Sequence, residues 1–483
     1  MAKMKGITNM LKGTTKEFWF ITGSQNLYGE DVLQVVRENS KSIVDGLNKT
    51  GKLAFPLKFK SVVKTADEIR DIMKEANYHD HVAGVVTWMH TFSPSKMWIP
   101  GLKLLQKPLL HFATQFNQAI PWETIDMDFM NTNQSAHGDR EHAFITARMK
   151  KNNKIIVGHW EQERVQKQLS SWMTSAVGYV ESQTVRVARF GDNMRNVAVT
   201  DGDKVEAAIQ FGWTVDYYGI GDLVAEMDTV TEEEIGAAYE DLQSVADLEV
   251  GNNDPDFFKK QVEYQLKIEI GLRRFLEKGN YNAFTSNFED LHGMDQLPGL
   301  AVQRLNAEGY GFSGEGDWKT AALDRLMKVM THNDRTGFME DYTYNLEDGK
   351  EVILGSHMLE VDPTLAATRP RVVVEPLGIG DKADPARYVF DGVAGEGIVV
   401  SMLDLGTHYR LLINAVEAIT PTEAAPKLPV ARVMWEPKPN FYDGVTSWLE
   451  AGGGHHTVIS LALTVEQMVD WAKMVDLEYI VIQ

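Results

Sequence analysis

Four clusters of carboxylates and imidazoles carry the residue types of a divalent-metal centre. Glu315 stands in Gly314-Glu315-Gly316, just before Asp317. Glu340 and Asp341 sit among Phe338, Met339 and Tyr342. His357 follows Gly355-Ser356, and His455-His456 ends a run of three glycines, Gly452 to Gly454. Two carboxylates and two neutral imidazoles cancel the charge of a doubly charged ion and suit Mn²⁺, Mg²⁺ or Co²⁺ better than a thiolate-seeking metal. With no cysteine in the chain, thiolate zinc sites and disulfides are both excluded.

Taken one at a time, each cluster also has an ordinary structural reading. Glu315 reads as a turn residue, with Asp317 as the N-cap of a helix expected over 317–330. Strand alternation sends Glu340 and Asp341 to opposite faces, so only one of them can enter a site, and an exposed edge-strand pair is the alternative. His357, at the end of an apolar strand, reads more often as a hydrogen-bonded core histidine than as a ligand. The glycine run is more telling, because three flexible residues are entropically costly unless the backbone needs close approach or positive φ. Of the two histidines that follow, one could bind metal while the other orients a carboxylate or the substrate. Gly309-Tyr310-Gly311-Phe312-Ser313-Gly314 fits the G-x-G-x-x-G fingerprint, but it follows the helix-like stretch 300–308 rather than a buried strand. That context argues against a nicotinamide dehydrogenase.

These residues need elements to position them. From residue 17 onward, strand-like apolar runs (17–23, 82–89, 108–114, 154–158) alternate with helix-like ones (31–47, 66–76, 135–150, 161–180). Such alternation predicts a parallel sheet covered by helices, closing near residue 185. A second βα series begins at 185–191, takes in helices at 203–211, 232–243 and 256–276, and reaches a strand at 281–286. Past about 335 the texture changes to alternating β-branched segments (351–355, 371–375, 397–403, 408–415), ending in a helix at 464–474 and a strand at 478–482. This part is expected to be a β-rich barrel or sandwich. The fold class is therefore α/β: two αβα (Rossmann-like) domains, 1–185 and 186–335, followed by a β-rich domain, 336–483. A shared site would lie at a domain boundary, where ligands commonly bind.

At 483 residues, 43% hydrophobic and 24% charged, the chain has the balance of a folded protein of two or three domains. A formal charge of −20 repels phosphate backbones and anionic headgroups, which sets nucleic acid and membrane aside as partners. Residues 1–15 lack the apolar core and cleavage site of a signal peptide, and no stretch is apolar enough to span a bilayer. The expected location is the cytoplasm.

Longer motifs carry a family resemblance. The run Phe-Trp-Phe-Ile-Thr-Gly-Ser-Gln-Asn-Leu-Tyr-Gly from Phe18 to Gly29, Phe-Gly-Asp-Asn-Met-Arg from Phe190 to Arg195, Asn-Phe-Glu-Asp-Leu-His-Gly from Asn287 to Gly293, and the triglycine His-His segment are similar to the bacterial L-arabinose isomerases, in the fucose isomerase-like fold group. The resemblance implies Glu315, Glu340, His357 and His456 as metal ligands, with Mn²⁺ the usual ion and Co²⁺ or Mg²⁺ as substitutes. It implies that Gln25, Leu27, Tyr28, Phe92, Gln134, His137, Met194 and His455 meet the sugar, some of them across a subunit interface. It further implies a C-terminal β-barrel and a homohexamer or homotetramer. The reaction would be L-arabinose to L-ribulose, with weak D-galactose to D-tagatose activity. Glu315 and Glu340 would move a proton between C1 and C2 through an enediol, the ion acting as Lewis acid. A related isomerase, such as one for L-fucose, and a non-catalytic sugar-binding protein are the alternatives. The chain ends at Ile482-Gln483, where many relatives continue, which bears on C-terminal packing and oligomer contacts.

Overall fold

The computed structural model describes residues 15–378 and 381–483, so the expectation about a signal peptide at 1–15 falls almost wholly outside the described residues. The described chain forms two compact units, residues 15–180 and 181–483.

The first unit is built on a parallel sheet in the order Leu57–Val63, Glu17–Gly23, Val82–Met89, Leu109–Ala113, Lys154–Val157. Glu17–Gly23 and Val82–Met89 are buried at every position, as a parallel sheet covered on both faces requires. Helices Gly29–Lys49, Ala66–Tyr78, Ser135–Arg148 and Glu163–Ser182 occupy the stretches read as amphipathic. Strand order reverses between Glu17–Gly23 and Val82–Met89, the topological switch point at whose carboxyl ends α/β sheets bind ligands.

The second unit opens with the parallel sheet Gly311–Ser313, Ala283–Ser286, Arg186–Phe190, Thr214–Tyr218. The glycine-rich 309–314 run thus supplies a strand preceded by helix Gly299–Ala307, not the strand-to-helix turn of a dinucleotide site. A larger sheet follows in the order Gly395–Asp404, His456–Ser460, Thr336–Asn345, Val352–Ser356, Val433–Pro437, Tyr409–Ile419, Glu478–Ile482. Gly395–Asp404 also pairs with Tyr409–Ile419, so the first six strands form a closed circuit of backbone pairing. A small sheet joins Ala386–Val389, Arg371–Val374 and the two-residue strand Asp247–Leu248. That last pairing ties residues 247–248 to 371–372, across the boundary expected near 335.

Strand Thr336–Asn345 separates two cores. Met339 belongs to a cluster with Ile353, Val399, Leu412, Trp435 and Ile459. Phe338 belongs to another, with Phe190, Phe284 and Phe312 of the parallel sheet. Because side chains alternate along a strand, Glu340 shares the Phe338 face and Asp341 the Met339 face. Consistent with this, Asp341 borders a small void among Asn414, Trp435 and Trp448. Among the described residues, no helix is long and apolar enough to cross a membrane.

Candidate metal centre and sugar-contact surface

Glu315 lies between strand Gly311–Ser313 and helix Trp318–Thr331, so it emerges at the carboxyl end of a parallel strand. Its φ of +60° is unusual for a residue with a side chain, a conformation that costs about 1–3 kcal/mol and persists only where its surroundings enforce it. They do so here: Met194 N donates to Glu315 O at 2.9 Å, and Asn193 Nδ2 donates to Gly316 O at 3.2 Å. On the other side of Glu315, a Cβ on Gly314 would lie 2.7 Å from both Cε1 and Nε2 of His357, so only glycine fits against that ring.

The remaining candidates come from three adjacent strands. Glu340 stands in register with His456 on one neighbour and Ser356 on the other, and His357 is the next residue along. The rings of His357 and His456 are 6.0 Å apart, and Phe338 touches both, at 4.9 and 5.3 Å. Each imidazole has Nδ1 tied to a carboxylate: His357 to Glu360 Oε2 at 2.6 Å, and His456 to Asp317 Oδ2 at 3.1 Å. Such backing fixes the tautomer and turns Nε2 toward the site. Nε2 of His456 is buried and, among the described residues, has no hydrogen-bond partner. It lies 3.7 Å from Glu315 Oε2, and Nε2 of the half-exposed His455 lies 4.0 Å from the same oxygen.

Among the described residues, Glu315, His455 and His456 form a group whose ligand atoms all lie within 4.8 Å of one another. Glu340 and His357 border it rather than join it, although both act on it electrostatically. Burial opposes a charge on His357, but the Glu360 carboxylate, followed by Glu340 and Glu315, lifts it to about 9. The Glu315 carboxylate beside His455 raises that imidazole too, with Glu340 contributing. Conversely, burial pushes Glu315 upward, and His455, His456 and His357 together hold it below the ordinary carboxylate value. An orphaned buried nitrogen, carboxylate-backed imidazoles and nearby carboxylates are the donor set of a divalent cation that takes nitrogen and oxygen ligands.

Three contributors escaped the sequence reading. Asp317 was expected only as an N-cap, which it is, accepting from Thr320 N at 3.3 Å, but its other oxygen holds His456. Glu360 follows His357 by three residues, a His-x-x-Glu spacing that could have been noticed. Asn193 lies in the Phe190–Arg195 motif, but its bond to Gly316, 123 residues away, was not legible there. The triglycine run has a packing reason at its centre, where a Cβ on Gly453 would meet Trp448 Nε1 at 2.2 Å.

The other sugar-contact candidates, Met194 apart, gather in the first unit at the switch point of its sheet. Gln25 follows strand Glu17–Gly23 and its Nε2 donates to Phe92 O at 3.2 Å. Phe92 stacks on His137 at 4.2 Å, and His137 Nδ1 is 3.3 Å from Gln134 Oε1. Leu27, in the short turn Asn26–Tyr28, is 82% exposed. Met194 instead belongs to the second unit, on the backbone of Glu315.

Helix-covered parallel sheets and a Glu–His group that could hold a metal ion are features of an α/β enzyme. Comparison with known families makes the class specific. Residues 12–184 match the L-arabinose isomerase N-terminal domain, 186–333 its central domain and 335–478 its C-terminal domain. The chain belongs to the L-arabinose isomerase family and is an isomerase. It is 68% identical to "L-arabinose isomerase 1" of Clostridium acetobutylicum, covering 98% of this chain and 97% of the relative. It is 64% identical to the Oceanobacillus iheyensis L-arabinose isomerase (98% and 100%) and 57% identical to that of Geobacillus stearothermophilus (98% and 95%).

Proposed function

We propose that the protein is a cytoplasmic, Mn²⁺-dependent isomerase that converts L-arabinose to L-ribulose, with weaker conversion of D-galactose to D-tagatose. The observation that carries the metal reading is the buried, unpartnered Nε2 of His456, 3.7 Å from the Glu315 carboxylate and backed through Nδ1 by Asp317. Glu315, Glu340, His357 and His456 are the proposed ligands, and His455, half-exposed beside them, is proposed to meet the sugar. Co²⁺ or Mg²⁺ would be weaker substitutes. The closed strand circuit is read as a barrel, and the three family matches support domains at 1–185, 186–335 and 336–483. Gln25, Leu27, Tyr28, Phe92, Gln134 and His137, with Met194, are assigned to the sugar in a homohexamer or homotetramer whose subunits complete one another's sites.

The ion, when bound, would polarise the sugar carbonyl as a Lewis acid. The chain's own residues supply the rest. Glu315 is ionised at neutral pH, and its carboxylate is proposed to take the proton from carbon. Glu340, on a separate strand, is proposed to exchange a proton with the sugar oxygens, and the two together would move hydrogen between C1 and C2 through an enediol. Phe338 packs against both ligand imidazoles and shields that side of the site from water.

Chelator-stripped protein assayed for ketose formation from L-arabinose, with and without added Mn²⁺, tests this reading. Turnover restored by Mn²⁺ is expected, with solvent deuterium appearing in the product. Metal-independent turnover would sink the cofactor assignment. Deuterium-free product would replace the enediol with a hydride shift, and no turnover on any aldose would point to a sugar-binding protein.

A further inference from the structure

Asp317 has a partner that neither its capping role nor its contact with His456 explains. Lys319 is fully buried, and its Nζ lies 3.0 Å from Asp317 Oδ1 and 2.9 Å from Val199 O. Burying an ammonium is strongly unfavourable unless it is paired, and an apolar side chain would fill this helix position without that penalty. What Lys319 adds is visible at the carboxylate. Oδ1 of Asp317 accepts from Lys319 and from Thr320 N, whereas Oδ2 accepts from Thr320 Oγ1 at 2.8 Å and from His456 Nδ1 at 3.1 Å. Both oxygens are engaged, so the carboxylate has no free rotation and offers His456 one fixed acceptor. Lys319 is itself confined: a Cβ on Gly202 would lie 2.7 Å from its Cδ, so that backbone closes over its stem.

We propose that Lys319 is a positioning residue of the metal centre: acting through Asp317, it fixes His456 in the Nδ1–H tautomer and so leaves the Nε2 lone pair for the cation. This rests on the reading of His456 as a ligand. Lys319 touches neither sugar nor ion, and its effect is on how well His456 is presented. Outer partners of this kind set metal affinity by about 10–100-fold.

The test uses the full chain, stripped of metal, with free Mn²⁺ counted by electron paramagnetic resonance during titration. Lys319→Met, which keeps an unbranched apolar stem and removes the ammonium, is expected to bind Mn²⁺ about 10–100-fold more weakly than the unaltered protein. Asp317→Asn is expected to do the same, and the double variant to bind no more weakly than Asp317→Asn alone. Undiminished affinity in a folded Lys319→Met overturns the proposal, as do losses that multiply in the double variant. A second measurement needs no variant: in protein labelled with ¹⁵N-histidine and free of metal, His456 is expected to carry its proton on Nδ1, and a proton on Nε2 overturns the link. If the unaltered protein binds no Mn²⁺, the metal reading falls and this inference with it, whereas normal binding by Lys319→Met removes the inference alone.

Discussion

Replacing Gly314 with alanine isolates the steric logic of the metal centre. The position is outside the left-handed region, so alanine brings no backbone penalty there, unlike at Gly316 with its φ of +77°. The new methyl carbon would stand 2.7 Å from Cε1 and Nε2 of His357. An ordinary contact needs about 3.5 Å, so the ring must retreat by roughly 0.8 Å. It has little freedom to do so, because Nδ1 is held by Glu360 at 2.6 Å and Phe338 packs 4.9 Å from the ring centre. Overpacking of this kind costs about 1–3 kcal/mol of stability. A proposed ligand pushed off its aim should lose about 10–100-fold in metal affinity, equivalent to about 1.4–2.7 kcal/mol. Titrating metal-free Gly314→Ala with Mn²⁺ by calorimetry, beside urea unfolding of the metal-free protein, reads both quantities. Gly349→Ala, at a φ of +77° with open space around it, is the control for strain away from the site and should leave Mn²⁺ affinity unchanged. If Gly314→Ala binds Mn²⁺ within twofold of the unaltered protein, the contact with His357 does not govern the ion and the reasoning fails.

Further outcomes are expected elsewhere. His456→Ala should lose Mn²⁺ on metal analysis while His455→Ala retains it and loses turnover; metal lost from the His455 variant alone would reverse the assignment. Phe92→Ala removes the ring stacked on His137 and should raise KM for L-arabinose several-fold without changing Mn²⁺ affinity, and an unchanged KM would take Phe92 out of the sugar contact. Asp324 shares the buried Lys328 with Asp362, at 3.1 and 2.8 Å, and burial, opposed by Lys328, pushes its carboxyl from 3.8 up to about 7. The folded state therefore holds that proton more tightly than the unfolded chain does. The stabilisation is complete below pH 3.8 and is lost as pH rises through about 7. Asp324→Asn should flatten this stretch of the stability–pH curve, and an unaltered slope would place the titration elsewhere.

The parallel-sheet elements were legible because their periods are long and regular. The helix at Ala66–Tyr78 and the strand at Val82–Met89 stand within two residues of where apolar spacing puts them. Strand Leu57–Val63 was not read, because only its ends are buried and its Lys58 and Lys60 break the apolar run. Asp247–Leu248 is two residues long and is a strand only by virtue of pairing with Arg371–Val374, a relation no local pattern encodes. At the site, alternation correctly separated Glu340 from Asp341. The carboxylates behind the imidazoles were harder. Asp317 and His456 are 139 residues apart, and Asp317 already had a sufficient local explanation as a helix cap. Buried Lys319 and Lys328 run against the general exposure of lysine, so composition alone places them on the surface.

The register of His456 beside Glu340, with Ser356 on the far side, also has a bearing on how the protein is made. The last proposed ligand to be synthesised lies on the strand that inserts between Thr336–Asn345 and Gly395–Asp404, so the pairing that sets it beside Glu340 forms only once the chain has been made through Ser460. If His456 is a ligand, capture of an ion through it follows synthesis of this strand, after the other proposed ligands have been made. Whatever divalent ions the surroundings offer at that moment compete for a centre already shaped, and an ion that binds there adds to the stability of the closed strand circuit in proportion to the logarithm of its concentration.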